Sequence, residues 1–498
     1  MIFWTVTILG IYLLIILAIG FHSSRGGEKN TESFFVANRH LNWLQEAMAV
    51  FTTLAPAGAL LGTIGLFYQD SGVLLGYVFG FTLIKPVAYW YVGSRLRRLG
   101  KARGYQTQAV FIGEFYQSRY LRWAVALAGV IFSIPMLATN PIAVGELLHQ
   151  FADVPYFIGV LIFIVVAGVY TFKGGLRAVA NTDVFHGFLL LAFLVAAVVV
   201  LVIHAGGLLH VLDSPKTLVP TSGHGRLLFF AWIPYTGLVT ICQPDRAFRM
   251  FAVRDDQNLH KAVVISGAMS GLAAFSYLLI GLSVRSLLPA IEHTDTTLAS
   301  GLQLVAVWLI PWFVMNAWGG SMSTFTGGLL STSNILIKDI FEPWYVRHNV
   351  TPGPKRDRLM LIAARVCILC LVLCTVVVSF YPPSFIWILI HLNIGALIQL
   401  APLLILAFLW RGVTRLGAQL GFTAGLVSMV LWSFVFKPPF GIFAGLDALA
   451  VNAVVMVAIS LLSADKQELR DQREELRQLA SIEDEKPVTP VAIPVRAT

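Results

Sequence analysis

Apolar runs of about 18–25 residues recur along the chain, each long enough to cross a bilayer as a helix. About thirteen are predicted, centred on residues 3–22, 43–68, 73–94, 122–148, 155–172, 183–204, 226–243, 260–284, 302–337, 359–379, 384–409, 416–434 and 442–462. The polar segments between them are short, and no soluble domain intervenes. A short amphipathic helix is expected over Gln108–Gln117. The pattern changes at Ser463, where "ADKQELRDQREELRQLASIEDEK" predicts a solvated helix followed by a Pro-containing disordered end. An all-α polytopic membrane protein is the expected class.

Composition agrees. The 498 residues are 57% apolar and 12% charged, where a soluble domain carries about a quarter charged. Ile2–His22 lacks the basic start and small-residue cleavage site of a signal peptide and reads as a first crossing. The net charge of +9 is a loop property in such a protein and does not call for nucleic acid. One set of alternate loops holds Arg25, Lys29, Arg39, Arg95, Arg97, Arg98, Lys101, Arg103, Lys173, Arg177, Arg246, Arg249, Arg254, Lys338, Lys355, Arg356, Arg358, Arg411 and Arg415. The other set holds little beyond Lys216, Arg226, Arg285 and Lys437. The expected orientation is therefore N-terminus outside and C-terminus in the cytoplasm of a bacterial cell. Cys242, Cys367, Cys370 and Cys374 all fall in apolar segments without neighbouring metal ligands, so they read as small buried side chains.

Within the second run, "FTTLAPAGALLGTIG" puts Pro56, Gly58 and Gly62 where they weaken a helix. Unsatisfied backbone survives at membrane depth only when buried in protein or lining a polar cavity, where freed carbonyls can bind a cation. Thr52 and Thr53 add hydroxyls beside this break. The alternative is a packing kink, since glycine and proline are common in membrane helices. The seventh run, "LLFFAWIPYTGLVTICQP", carries Pro234, Thr236 and Gly237, and is read as a second interruption. Two interrupted crossings at corresponding places point to inverted repeats with a site near the midplane. The repeats are placed at 42–206 and 207–410, with 1–41 and 411–462 peripheral and 463–498 a charged tail.

The ninth run contains "WGGSMSTFTGGLLSTSN". Gly320, Ser323 and Thr324 fall at i, i+3 and i+4, so one carbonyl and two hydroxyls share a helix face. Such hard oxygens suit an alkali cation. Close packing and back-bonding are the alternative reading, and they account for Ser331–Ser333.

These segments, in this order, resemble the sodium:solute symporter family, whose members have the LeuT-type fold of two five-helix inverted repeats. The motifs are "ESFFVANRHLNW", "YTFKGGLRAVANTDVFHG" (Tyr170–Gly187), "MSTFTGGLLSTSNILIKDIF" (Met322–Phe341) and "WRGVTRLGAQLGFTAG" (Trp410–Gly425). The resemblance implies a sodium site made by the carbonyls of Thr52, Ala55 and Gly320 and the hydroxyls of Ser323 and Thr324. It implies an ion-exit station at Asp183, which otherwise reads as a salt-bridge or helix-dipole partner near Arg177. Leu54 and Pro56 stand where many members carry an acidic or polar residue and a serine, which weighs against a sugar or proline. In look the chain is similar to the monocarboxylate and pantothenate branch.

Intramembrane charge points to the substrate. Lys85 sits ten residues before Arg95, roughly 15 Å inside. It would favour an anion if it faced the cavity, and would serve as a gate lysine otherwise. Thr53, Pro56, Lys85, Trp232, Thr236 and Asn393 are the expected cavity residues, with Tyr235, His391 and Glu146 nearby candidates. The expected function is sodium-coupled import of a small organic solute, with a monocarboxylate or pantothenate-like anion preferred. A sodium- or proton-coupled carrier of an amino acid or neutral solute is the alternative, and a solute sensor a weaker one. No H-E-x-x-H or G-x-S-x-G occurs, so no enzyme is expected. Sodium is the one metal expected. Beyond the bilayer no partner is required, neither an oligomer nor nucleic acid.

Overall fold

The computed structural model describes residues 2–25, 30–213, 220, 222–348, 353–380 and 386–484, and they form helices without a named strand. The principal helices are α1 (Ile2–Ser23), α2 (Trp43–Thr52), α3 (Ala57–Gln69), α4 (Ser71–Arg103), α5 (Arg119–Ala152), α6 (Tyr156–His204), α7 (Gly223–Cys242), α8 (Pro244–Met250) and α9 (Asp256–Leu287). They continue with α10 (Ile310–Ile335), α11 (Pro354–Phe380), α12 (Ile386–Leu397), α13 (Leu400–Leu409), α14 (Arg415–Phe434), α15 (Ala444–Leu462) and α16 (Gln467–Ser481). Among the described residues ten helices are long and apolar enough to cross a membrane, and the bent pair α2–α3 makes eleven. The expected count of thirteen counts α6 as two crossings and adds the hydroxyl-rich α10. Large apolar side chains such as Leu14, Val195, Leu373, Val377 and Phe434 face outward, as a lipid-facing surface requires.

Local chemistry sets the helix ends. Asn42 caps α2 by accepting from the Leu44 and Gln45 amides, while the Gln45 side chain accepts from the Asn42 amide in return. Thr414 caps α14 by accepting from the Gly417 amide, and Asp255 caps α9 by accepting from the Asn258 amide. Pro56 is extended (φ −61°, ψ 153°) and lacks an N–H, so α2 ends before it and α3 leaves at 61° to α2. In α6 the chain kinks at Gly175 (φ 52°, ψ −150°), where a Cβ would lie 2.5 Å from the Phe34 carbonyl oxygen.

The second interruption is not where Pro234 led us to expect it. The helix α7 continues through Pro234 to Cys242. Gly237 lies on a close seam with α4, where a Cβ on Gly237 would meet Ile84 at 2.5 Å and one on Gly76 would meet the Phe229 carbonyl oxygen at 2.1 Å. Gly237 therefore serves helix contact. The chain opens one turn later at Gln243 (φ −72°, ψ 125°), because Pro244 drives its predecessor out of the helical region and then starts α8.

The helix α10 is the axis of the bundle: it packs on α5, α6 and α1, and every residue in it but Trp312 is buried. Its serines, threonines and glycines lower its hydropathy yet put small surfaces against its neighbours. The tail also departs from expectation. Helix α16 is docked rather than solvated, with Leu476 and Ala480 buried, Arg477 Nε donating to the Ala407 carbonyl (2.8 Å) and Asp484 bridging Arg97 (2.7 Å) and Lys101 (2.9 Å) on α4. The disordered end expected beyond it lies outside the described residues.

Candidate ion and solute site

The break between α2 and α3 lies against the middle of α10. Thr52 Oγ1 is 2.8 Å from Ser323 Oγ, across 271 positions of sequence. The Ser321 hydroxyl accepts from the Ala57 amide (2.8 Å), which satisfies an N–H that the break orphans. Gly320 lies so close to the break that a Cβ there would stand 2.0 Å from the Ala55 carbonyl oxygen. The Thr324 hydroxyl, which back-bonds to the Gly320 carbonyl at 3.1 Å, completes the group. Thr52, Ala55, Gly320, Ser323 and Thr324 are thus gathered in one place, and all are buried. At the break the Thr52 carbonyl accepts from the Ala55 amide (3.1 Å), and Gly320 lets α10 approach the Ala55 carbonyl.

A cavity of about 100 Å³ opens beside this cluster. Thr53, Pro56 and Thr324 form its wall at the break, and Trp232, Tyr235, Thr236, His391 and Asn393 line it from α7 and α12. Its polar groups are largely committed. Asn393 accepts from Gln243 Nε2 (2.7 Å) and donates to the Phe132 carbonyl (2.8 Å), tying α12 to the second break and to α5. The Tyr235 hydroxyl pairs with His391 Nδ1 (2.8 Å), and the Thr236 hydroxyl donates to the Trp232 carbonyl (2.8 Å).

Lys85 does not reach the cavity. It is buried against α9, with Nζ donating to Ser270 Oγ (2.6 Å) and lying 5.6 Å from the Phe81 ring centre. A π-helical turn at Gly80–Ile84 precedes it and shifts the face of α4 on which it falls. Glu146 lies exposed on α5. Arg246 on α8 is the cation that lines the cavity, with Asp245 beside it. One of its terminal nitrogens, Nη2, donates to the Thr53 carbonyl at 3.1 Å, directly at the first break. Sequence reading placed Arg246 in an arginine-bearing loop. The signal that could have moved it was the Gln243–Pro244 pair, which opens the seventh run and folds the next turn back under the cavity.

Asp183 is buried in α6 and pairs with Arg249 Nη1 (2.7 Å), not with the exposed Arg177. Both members of the pair are shielded from solvent. His186 lies alongside, linked to Tyr12 on α1 (2.8 Å). Glu46, unremarked in the sequence, is also buried and takes the Tyr89 hydroxyl. Asp183 is therefore engaged in a buried ion pair with Arg249 in this structure.

A model of the sodium:solute symporter family matches residues 34–425. The chain belongs to that family. Sodium/proline symporters of Staphylococcus aureus strains USA300 and COL are each 23% identical to it over 487 residues, covering 92% of this chain and 93% of theirs. The substrate-bound outward-open structure of a Na+-coupled sialic acid symporter overlays with a TM-score of 0.77 at 15% identity, covering 93% of this chain and 98% of that one. A nucleobase-cation-symport-1 family transporter in a closed conformation overlays at 0.56 with 14% identity, covering 89% and 97%. The overlays establish a LeuT-type fold. The symporter is an integral protein of the cytoplasmic membrane that couples Na+ to a small solute. The proline symporters lend no support to the monocarboxylate and pantothenate likeness.

Proposed function

We propose that this symporter binds its coupling sodium with the carbonyls of Thr52, Ala55 and Gly320 and the hydroxyls of Ser323 and Thr324, and its solute in the adjoining cavity. The observation that carries this reading is the 2.8 Å apposition of Thr52 and Ser323 at a backbone break whose continuation, Thr53 and Pro56, is cavity wall. Ion and solute thus share one short segment of chain. Sodium bound there ties α2–α3 to α10, which holds the cavity in shape for the solute. By linkage the solute must raise sodium affinity by the same factor. We assign the arginine-bearing face, with α16, to the cytoplasm, and residues 42–206 and 207–410 to two repeats that rock about the site.

The solute is a small organic molecule bearing a carboxylate. Arg246 replaces Lys85 as its anchor: it is cationic and lines the cavity. Thr53, Pro56, Trp232 and Thr236 shape the remainder, and Asn393 holds the α12 wall. Sodium is favoured over a proton because Asp183 is committed to Arg249.

Labelled uptake into proteoliposomes tests the reading. A sodium gradient should drive accumulation of a small carboxylate-bearing solute. Equal uptake with choline in place of sodium rejects the coupling.

A further inference from the structure

We propose that α16 is a charge-held latch that fastens the first repeat to the second on the cytoplasmic face and checks their parting there. This rests on the rocking repeats of the reading above and adds a part that lies outside both. The latch holds the first repeat at the end of α4. Asp484 pairs with Arg97 (2.7 Å) and Lys101 (2.9 Å). The Ala480 carbonyl accepts from Arg98 Nη1 (3.0 Å), and Glu475 pairs with Arg103 (2.8 Å). The same segment holds the second repeat. Asp484 Oδ2 also accepts from the Asp256 amide at the start of α9 (3.1 Å). Arg477 donates to the carbonyls of Ala407 (2.8 Å) and Trp410 (3.0 Å) at the end of α13. Arg473 reaches the Val413 carbonyl just beyond that repeat.

These contacts differ in kind from the packing of the crossings. The helix α16 buries Arg473, Leu476 and Ala480, a narrow stripe at i, i+3 and i+7. Its remaining hold is ion pairs and charged hydrogen bonds at the boundary with water, where Lys101 is 60% and Glu475 45% exposed. Contacts of that kind are screened by salt, the screening length falling from about 10 Å at 0.1 M to about 3 Å at 1 M. A latch closed in one arrangement of the repeats and open in another favours the first by the worth of its contacts. Cytoplasmic ionic strength then sets how firmly the repeats are held together.

Ser331 supplies the reporter. It is buried, and it lines both the solute cavity and a smaller chamber whose wall takes Gln108 from the first repeat and Pro244 from the second. A cysteine there meets reagent from the cytoplasm only when the repeats part on that side. The experiment is the rate of Ser331→Cys labelling by a membrane-impermeant maleimide in inside-out vesicles, with Cys242, Cys367, Cys370 and Cys374 changed to serine. Removing residues 464–498 should raise the rate about fivefold, the factor one good exposed ion pair supplies, and Asp484→Asn should raise it about twofold. In the full-length chain about 0.5 M potassium chloride should raise the rate toward that of the shortened chain, whose own rate should not move. A shortened chain that stays monodisperse and labels no faster overturns the latch, and so does a full-length rate indifferent to salt. The salt response needs no tail variant, so it decides the matter even if the shortened chain fails to fold. Sodium in place of potassium at equal ionic strength is the second arm. It should slow labelling in every chain, because the bound ion ties α2–α3 to α10. A sodium effect without a tail or salt effect sinks the latch and leaves the sodium reading standing; tail and salt effects without a sodium effect do the reverse.

Discussion

Replacing Gly320 by alanine is the sharpest challenge to the ion site, because it adds one methyl group and changes no polar atom. The added Cβ would stand 2.0 Å from the Ala55 carbonyl oxygen, 2.6 Å from its carbon and 3.2 Å from Pro56 N. All three are backbone atoms, so no side chain can swing aside. Real Cβ contacts essentially never fall under 3.0 Å, so α10 and the break must separate by about an ångström at that point. Metal–ligand distances tolerate about 0.2 Å. A shift several times that size separates the Ala55 carbonyl from the oxygens of α10. The loss of one ligand makes a tenfold rise in half-saturating sodium, about 1.4 kcal/mol, a conservative expectation. Overpacking should also cost about 1–3 kcal/mol of stability. The assay is thermal stability of the purified protein titrated with sodium, followed by uptake against sodium concentration. Gly10→Ala is the control, since nothing lies within 4 Å of the Cβ it would gain. A folded Gly320→Ala protein with unchanged half-saturating sodium would refute the site.

Three further outcomes follow from the same geometry. Ser323→Ala removes a hydroxyl from the cluster, while Thr52 keeps its back-bond to the Met48 carbonyl (2.9 Å). Stability should fall by only about 1 kcal/mol, whereas half-saturating sodium in uptake should rise about tenfold; an unchanged value counts against the ligand role. Arg249→Met leaves Asp183 buried beside Glu46 without its cation, and should cost about 3–5 kcal/mol in a chemical-denaturation or heat-aggregation assay. Arg249→Met with Asp183→Asn should cost clearly less than the sum of the single changes, and strict additivity would show the pair to be uncoupled. Asp484 lies outside the crossings. Burial raises its carboxyl pKa, but the hydrogen bond to Lys101 and the charge of Arg97 outweigh that and hold it below the ordinary value. A lowered folded value means the tail contact is complete above the unfolded carboxylate's pKa of about 3.9 and is lost as pH falls through the folded one. Protease resistance of α16 should therefore be flat from neutral pH down to about 5, and Asp484→Asn should weaken it throughout; loosening near neutral pH would contradict this.

Much of the fold was legible because its causes are local. A run of apolar residues long enough to span lipid must form a helix, since nothing else satisfies its backbone there. Pro56 removes a backbone donor from such a helix whatever surrounds it, and Gly320, Ser323 and Thr324 must share a face wherever α10 packs. Those properties, with the family resemblance, sufficed to nominate both halves of the proposed ion cluster. The second break was legible in kind but assigned to Pro234, because two prolines lay ten residues apart. A proline inside a helix costs a bond, whereas Gln243 before Pro244 is pushed out of the helix altogether, and only the packed seam at Gly76, Gly80 and Gly237 shows which is which.

Tertiary structure alone decided which charges meet. Lys85 and Arg246 are both long cations near an interrupted helix. The packing of α4 on α9 brings Lys85 to Ser270, and the turn into α8 brings Arg246 to Thr53, 193 positions away. The partner of Asp183 is 66 residues distant, and the exposed Arg177 six residues before it is not involved. The tail's charges, which in sequence resemble a solvated helix, meet an arginine-rich surface that exists only once α4 and α13 are in place. Helix formation in lipid depends on what each segment is, and the pairing of buried charges depends on where distant segments pack.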